Sequence, residues 1–171
     1  MKFFSKLKQA VFFLMFLFFT GVLTTGCMAG GSGSGDAAAP LFTLKDTQDR
    51  TVSLGDMLKQ NKAVLINFWA TWCPPCREEI PELIRLQSEY GKRGFTVLGV
   101  DVGESPTKVS SFINKMGINY PVALDRDQKV AAEYGLVGIP TSYLVSSEGK
   151  IIGEYHAATP ELFNDVKNAV E

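Results

Sequence analysis

Residues 63–80 read AVLINFWATWCPPCREEI. Ala63–Ala70 is a nearly continuous apolar run, the pattern of a strand buried on both faces of a sheet. It leads directly into Cys73-Pro74-Pro75-Cys76, after which the polar and apolar residues alternate with helical period through to Gly91. A strand, a pair of cysteines two residues apart and then a helix is an arrangement suited to redox chemistry. The spacing lets the two sulfurs form and break a disulfide. The helix N-terminus carries positive partial charge and unpaired N–H groups, which favour a thiolate. Cys73 is therefore expected to be the lower-pKa, attacking cysteine. Cys76, one turn further on, is expected to resolve the mixed disulfide.

Other uses of such a pair are less suited to these residues. A structural disulfide closing so short a loop stabilises little. Zinc wants four ligands, and no second cysteine pair exists. Haem attachment needs a histidine after the second cysteine, where Arg77 stands. Neither metal nor cofactor is therefore expected.

Outward from this segment, alternating strands and helices are expected. Leu41–Leu44 and Arg50–Ser53 form a hairpin around Asp46-Thr47-Gln48-Asp49, and Leu54–Gln60 is a short helix. Phe95–Asp101 is a second central strand. Pro106–Met116 and Asp127–Tyr134 are helices ending at Gly117 and Gly135. Thr141–Ser146 and Lys150–Tyr155 flank Ser147-Glu148-Gly149 as a hairpin. Thr159-Pro160 caps a last helix to Val170. The order predicts an α/β domain over residues 40–171, with a mixed central sheet and helices on both faces.

The N-terminus reads as an address. Lys2, Lys6 and Lys8 precede the apolar run Ala10–Leu23. At about 1.5 Å per residue this run falls short of a bilayer core of roughly 30 Å, and it fits a signal-peptide core. Leu23-Thr24-Thr25-Gly26-Cys27 resembles a bacterial lipoprotein signal, which implies cleavage after residue 26 and acylation of Cys27. An uncleaved signal anchor and a plain secretory signal are the alternatives. Residues 28–39 (MAGGSGSGDAAA) have the composition of a flexible tether, so that 27–39 links the anchor to the domain. The net charge of −1 argues against a nucleic-acid partner.

The segment Asn67–Cys76 resembles the thioredoxin active site, and Gly138-Ile139-Pro140-Thr141 resembles the loop that sets a cis-proline against the dithiol. That resemblance implies a thioredoxin-like fold. It also implies that Pro140 leaves the backbone around Ile139 free to pair with an extended substrate. Cys76-Arg77-Glu78-Glu79-Ile80-Pro81, the N-terminal hairpin and a central insertion at Asp101–Ala123 are similar to the TlpA/ResA/CcmG branch of that superfamily. The branch implies a membrane-bound or periplasmic reductant of specific protein disulfides. Its substrates include apocytochrome c, and its electrons come from a membrane thiol donor.

Asn67 stands where general thioredoxins carry a buried aspartate, and it cannot take up a proton. Glu79 shares a helical face with Cys76, Ile80 and Leu83, so its carboxyl should have a raised pKa and exchange a proton with Cys76. The branch has an acidic residue there in that role. Glu78 and Glu82 read as solvated, and Pro81 as a kink. Trp72 is expected to form an apolar lip for docking or to pack inward. His156, the single histidine, reads as surface. Three other functions use the same scaffold: a disulfide-forming oxidase, a metal-delivery module and a peroxidase. The lone histidine weighs against the metal module. The paired motif weighs against the peroxidase, which uses one reactive cysteine.

Overall fold

The structure, a computed structural model, describes residues 37–171. The signal segment, Cys27 and most of the tether lie outside the described residues. The elements in chain order are β1 Thr43–Lys45, β2 Thr51–Ser53, α1 Leu54–Gln60, β3 Ala63–Trp69, α2 Pro74–Tyr90 and β4 Phe95–Val102. They continue with α3 Pro106–Met116, β5 Val122–Asp125, α4 Lys129–Glu133, β6 Thr141–Ser146, β7 Ile151–Tyr155 and α5 Pro160–Val170. The strands make one sheet in the order β2-β1-β5-β4-β3-β6-β7. β3, β4 and β5 run parallel, while β6, β7, β1 and β2 extend the sheet antiparallel on either side.

Alternation along β3 divides the core. Val64, Ile66 and Phe68 face α1 and α4, joining Leu54, Leu58, Val130, Tyr134 and Tyr143. Ala63, Leu65 and Trp69 face the other way, against Ile80, Leu83 and Leu86 of α2 and Leu162 and Val166 of α5. Full burial of each large side chain contributes about 1.5–3 kcal/mol, so both faces hold β3 in place. Helices cover both faces, and the α/β mixed-sheet reading stands.

Several details differ from the sequence reading, among them the helix expected at Asp127–Tyr134, which spans Lys129–Glu133. β5 was not foreseen: Val122–Asp125 is four residues long, too short for a period to show, and directly follows Pro121. The segment Asp101–Ala123 therefore begins and ends inside strands. α2 starts at Pro74 rather than Cys76, because prolines suit the first helical positions, where no N–H is needed. It runs on through Pro81, tightens into a 3₁₀ turn at Gly91–Arg93, and the chain reverses at Gly94, which has φ 92°. Finally, residues 37–39 are not free tether. Ala38 bridges to Lys150, the Ala39 N–H donates to Gly149 O at 2.8 Å, and Ala39 is buried.

Gly99 of β4 lies opposite Asn67 in the parallel register. A Cβ there would sit 3.0 Å from Trp69 Nε1 and 3.3 Å from the Tyr120 ring. Gly99→Ala should therefore overpack this layer and lower stability by about 1–3 kcal/mol, read as a lower urea midpoint at unchanged slope.

Candidate active site

β3 ends at Trp69, and Ala70–Cys73 carries the chain from the sheet to α2. The Cys73 N–H donates to Ala70 O at 3.2 Å. Cys73 is the N-cap of α2, and its Sγ accepts from the Cys76 N–H at 3.3 Å. The two cysteines are joined as a disulfide, with Cα atoms 5.3 Å apart. Cys76 is fully buried, and Cys73 is 3% exposed. The less deeply buried of the two cysteines is the one placed at the positive end of the helix.

The loop before β6 comes up against Cys73. The Ile139–Pro140 bond is cis, and Cys73 Sγ lies 3.8 Å from Ile139 O. Ile139 and Pro140 are half-buried. Trp72 beside Cys73 is 62% exposed and does not pack inward. Val137, in the loop leading to Pro140, is 98% exposed. The sequence reading passed over Val137, since one valine in a loop carries no pattern.

Behind the disulfide, the three glutamates of α2 separate by environment. Glu78 is exposed, and Glu82 pairs with Arg85 at 2.9 Å. Glu79 is buried. Its Oε1 accepts from Asn67 Nδ2 at 2.7 Å, and it takes a further bond from the Ala158 N–H. Burial pushes its pKa from the usual 4.5 to about 7, and the bonds from Asn67 and Ala158 only partly offset this. Asn67, read above only as a missing acid, is thus the direct partner of the carboxyl. It reaches Glu79 because odd-numbered residues of β3 point toward α2.

A second buried carboxylate holds the active-site loop. Glu104 accepts from the Thr71 N–H at 2.5 Å and from Thr71 Oγ1 at 2.8 Å, and it pairs with Lys108 at 2.5 Å. Its own N–H donates to Asp101 Oδ1 at 3.2 Å. Burial, then the adjacent Glu104 carboxylate, raise Asp101 to about 8. Nothing in the sequence pattern marked this pair. Asp101 at the end of an apolar strand was the one available signal. His156 is exposed, and its Nδ1 lies 3.2 Å from Thr141 Oγ1. Among the described residues, no three His, Cys, Asp or Glu side chains gather as a metal cluster.

A seven-stranded mixed sheet, a cysteine pair at a helix N-terminus and a cis-proline facing it define a thioredoxin-like protein. The AhpC/TSA family profile matches residues 36–153, and the chain belongs to that family. Among curated relatives, it is 34% identical to the thiol–disulfide oxidoreductase ResA of Bacillus subtilis, over 78% of this chain and 74% of that one. It is 36% identical to the ResA of Bacillus thuringiensis and of Bacillus anthracis, over 67% of this chain. Those two alignments span 65% of the relatives' length. Among solved structures, it is similar to the thioredoxin domain of a thiol–disulfide oxidoreductase from Bacteroides vulgatus. The TM-score is 0.73 at 30% identity, over 80% of this chain and 98% of that one. It is also similar to a putative thiol:disulfide interchange protein DsbE from Chlorobium tepidum. There the TM-score is 0.69 at 29% identity, over 80% and 94%.

The raised Glu79 pKa has a consequence for stability. The folded disulfide form holds this proton more tightly than the unfolded chain does. The stabilisation is complete below about pH 4.5 and is lost as pH rises through about 7. The urea midpoint should fall across that window. Glu79→Gln should flatten the fall, leaving the part due to Asp101, which extends to about pH 8.

Proposed function

We propose that this chain is an extracytoplasmic thiol–disulfide oxidoreductase that reduces specific protein disulfides through Cys73 and Cys76. One observation carries the reading: Cys73 caps α2 beside the cis Ile139–Pro140 peptide, with Glu79 buried on the same helix below. The names of the relatives support the reaction class.

In the reduced protein, the Cys73 thiolate attacks a substrate disulfide. A bond forms between Cys73 Sγ and one substrate sulfur, and the other substrate sulfur leaves as a thiolate. Glu79 then takes the proton of Cys76. The Cys76 thiolate attacks Cys73 Sγ, the mixed disulfide breaks, and the second substrate sulfur is released. Two electrons pass to the substrate, and Cys73–Cys76 ends as the disulfide. The helix N-terminus stabilises the Cys73 thiolate in the first step. Pro140 keeps the backbone at Ile139 available to an extended substrate segment, and Trp72 forms an apolar lip beside it. Glu79, with a pKa near neutrality, holds a proton at little cost in either state.

The direction, reduction rather than oxidation, rests on the resemblance carried by Cys73-Pro74-Pro75-Cys76 and Glu79. The same resemblance points to a substrate such as the haem-attachment disulfide of an apocytochrome c, and to a membrane thiol donor. Residues 1–26 are proposed as a lipoprotein signal peptide, Cys27 as the acylated residue, and the segment after it as a tether at the outer face of the bacterial membrane.

Equilibration of the chain against thiol–disulfide buffers, read by tryptophan fluorescence, tests the reading. A potential more reducing than the glutathione poise is expected. A strongly oxidising potential would turn the assignment to disulfide formation, and no reversible two-electron transition would remove redox catalysis altogether. Independently, Cys76→Ser should accumulate a covalent adduct with a disulfide protein. Cys73→Ser should form none, as read on a non-reducing gel.

A further inference from the structure

The proton exchange proposed for Glu79 raises a question that its burial makes acute. A buried carboxyl accepts hydrogen bonds when ionised and donates one when protonated. A partner that only donates can still serve the carbonyl oxygen of the acid but leaves its O–H without an acceptor, and in a buried site this costs about 1–3 kcal/mol.

The surroundings of Glu79 address both states. Asn67 is fully buried, at the centre of β3. Its Nδ2 donates to Glu79 Oε1 at 2.7 Å and to Ser142 Oγ of β6 at 2.9 Å. Its Oδ1 is buried with no hydrogen-bond partner. One amide group therefore presents a donor already engaged with the carboxylate and an acceptor engaged with nothing. Rotation of the amide about its Cβ–Cγ bond exchanges the two atoms. Oδ1 then faces both Glu79 and Ser142. A protonated Glu79 can donate to it, and the Ser142 hydroxyl, which both donates and accepts, reverses its own bond. Nδ2 moves to the position where Oδ1 lacked a partner, so each orientation leaves one amide atom unpaired.

The other groups around Glu79 do not offer this. The Ala158 N–H only donates. The Tyr120 hydroxyl is buried and feels the Glu79 charge, but it has no hydrogen-bond partner and does not reach the carboxyl. Cys76 is the proton's own source. His156, two residues before Ala158, is exposed and has its ring beside Thr141. Aspartate at position 67 would bring a second titrating carboxyl into the same burial, whereas asparagine changes its bonding without changing its charge.

We propose that Asn67 is a positioning residue that holds Glu79 in both protonation states, donating to the carboxylate through Nδ2 and accepting from the carboxylic acid through Oδ1 after its amide turns over. This deepens the role proposed for Glu79 and rests on it. No sulfur–sulfur bond changes in the step: the S–H bond of Cys76 breaks and an O–H bond forms on Glu79. The proton leaves Cys76 Sγ, arrives on Glu79, and the amide and the Ser142 hydroxyl reorient.

The test is a pH titration of the full chain by NMR. It follows the Glu79 side-chain carboxyl carbon and the Asn67 side-chain amide nitrogen and protons. The Asn67 amide signals should move with the same midpoint as the Glu79 carboxyl. Asn67→Leu, close in shape but without either polar atom, should shift the midpoint of the pH profile of disulfide exchange with insulin upward by about one unit, since of the two bonds lost the one to the charged carboxylate is the stronger. Ser142→Ala, which keeps the amide–carboxyl contact, should shift it less. Amide signals that stay fixed while the carboxyl titrates overturn the inference and leave the role of Glu79 standing. That reading is tested separately by Glu79→Gln. A profile for that variant identical to the parent's removes the proton exchange, and this inference with it.

Discussion

β3 is buried along its whole length and on both faces, and the position of every group at the site follows from that. Because Val64, Ile66 and Phe68 fill one layer of the core and Ala63, Leu65 and Trp69 the other, the strand has no freedom to slip or turn over. Slippage by one residue would exchange the two sets and bring Asn67 to the wrong face. Fixed in this way, β3 delivers Ala70–Cys73 to a single point above the sheet, where α2 begins. It also holds Asn67 beneath that helix, at the height of Glu79.

The site divides its tasks between an outer and an inner layer. On the outside are the barely exposed Cys73, the Ile139 carbonyl, the cis-proline and two apolar side chains, Trp72 and Val137, held toward solvent. Inside are Cys76, Glu79 and Asn67, all but removed from water. The helix N-terminus acts on the outer sulfur through its dipole and its N–H groups. The inner carboxyl is governed instead by desolvation, moderated by two hydrogen bonds. Glu104 gives the outer layer its foundation by tying Thr71, two residues before Cys73, to the start of α3.

How much of this could be read from the chain depended on whether a feature is local. The strand–cysteine–helix segment is written in consecutive residues, and so were the elements around it, with boundaries a few residues out. The environment of Glu79 followed from helical spacing alone. β5 escaped because four residues carry no period. Asn67 was seen as an absence, because its bonds to Glu79 and Ser142 join three elements distant in sequence. The Asp101–Glu104–Thr71 set was hidden for the same reason: it exists only once α3 is folded back against the active-site loop. Features made of long-range polar contacts leave little trace in composition or spacing.

The pairing of Ala37–Ala39 with the turn between β6 and β7 fixes where the polypeptide joins the domain. Along β3 and β6, the register sets Ala63 beside Ser146 at one end and Phe68 beside Thr141 at the other. The turn at Gly149 belongs to the first end, and the disulfide lies beyond the second, roughly 20 Å away at the rise of an extended strand. The chain thus enters at the pole opposite its reactive sulfur. A pull on residue 37 bears on the far edge of the sheet and not on the loop that carries Cys73.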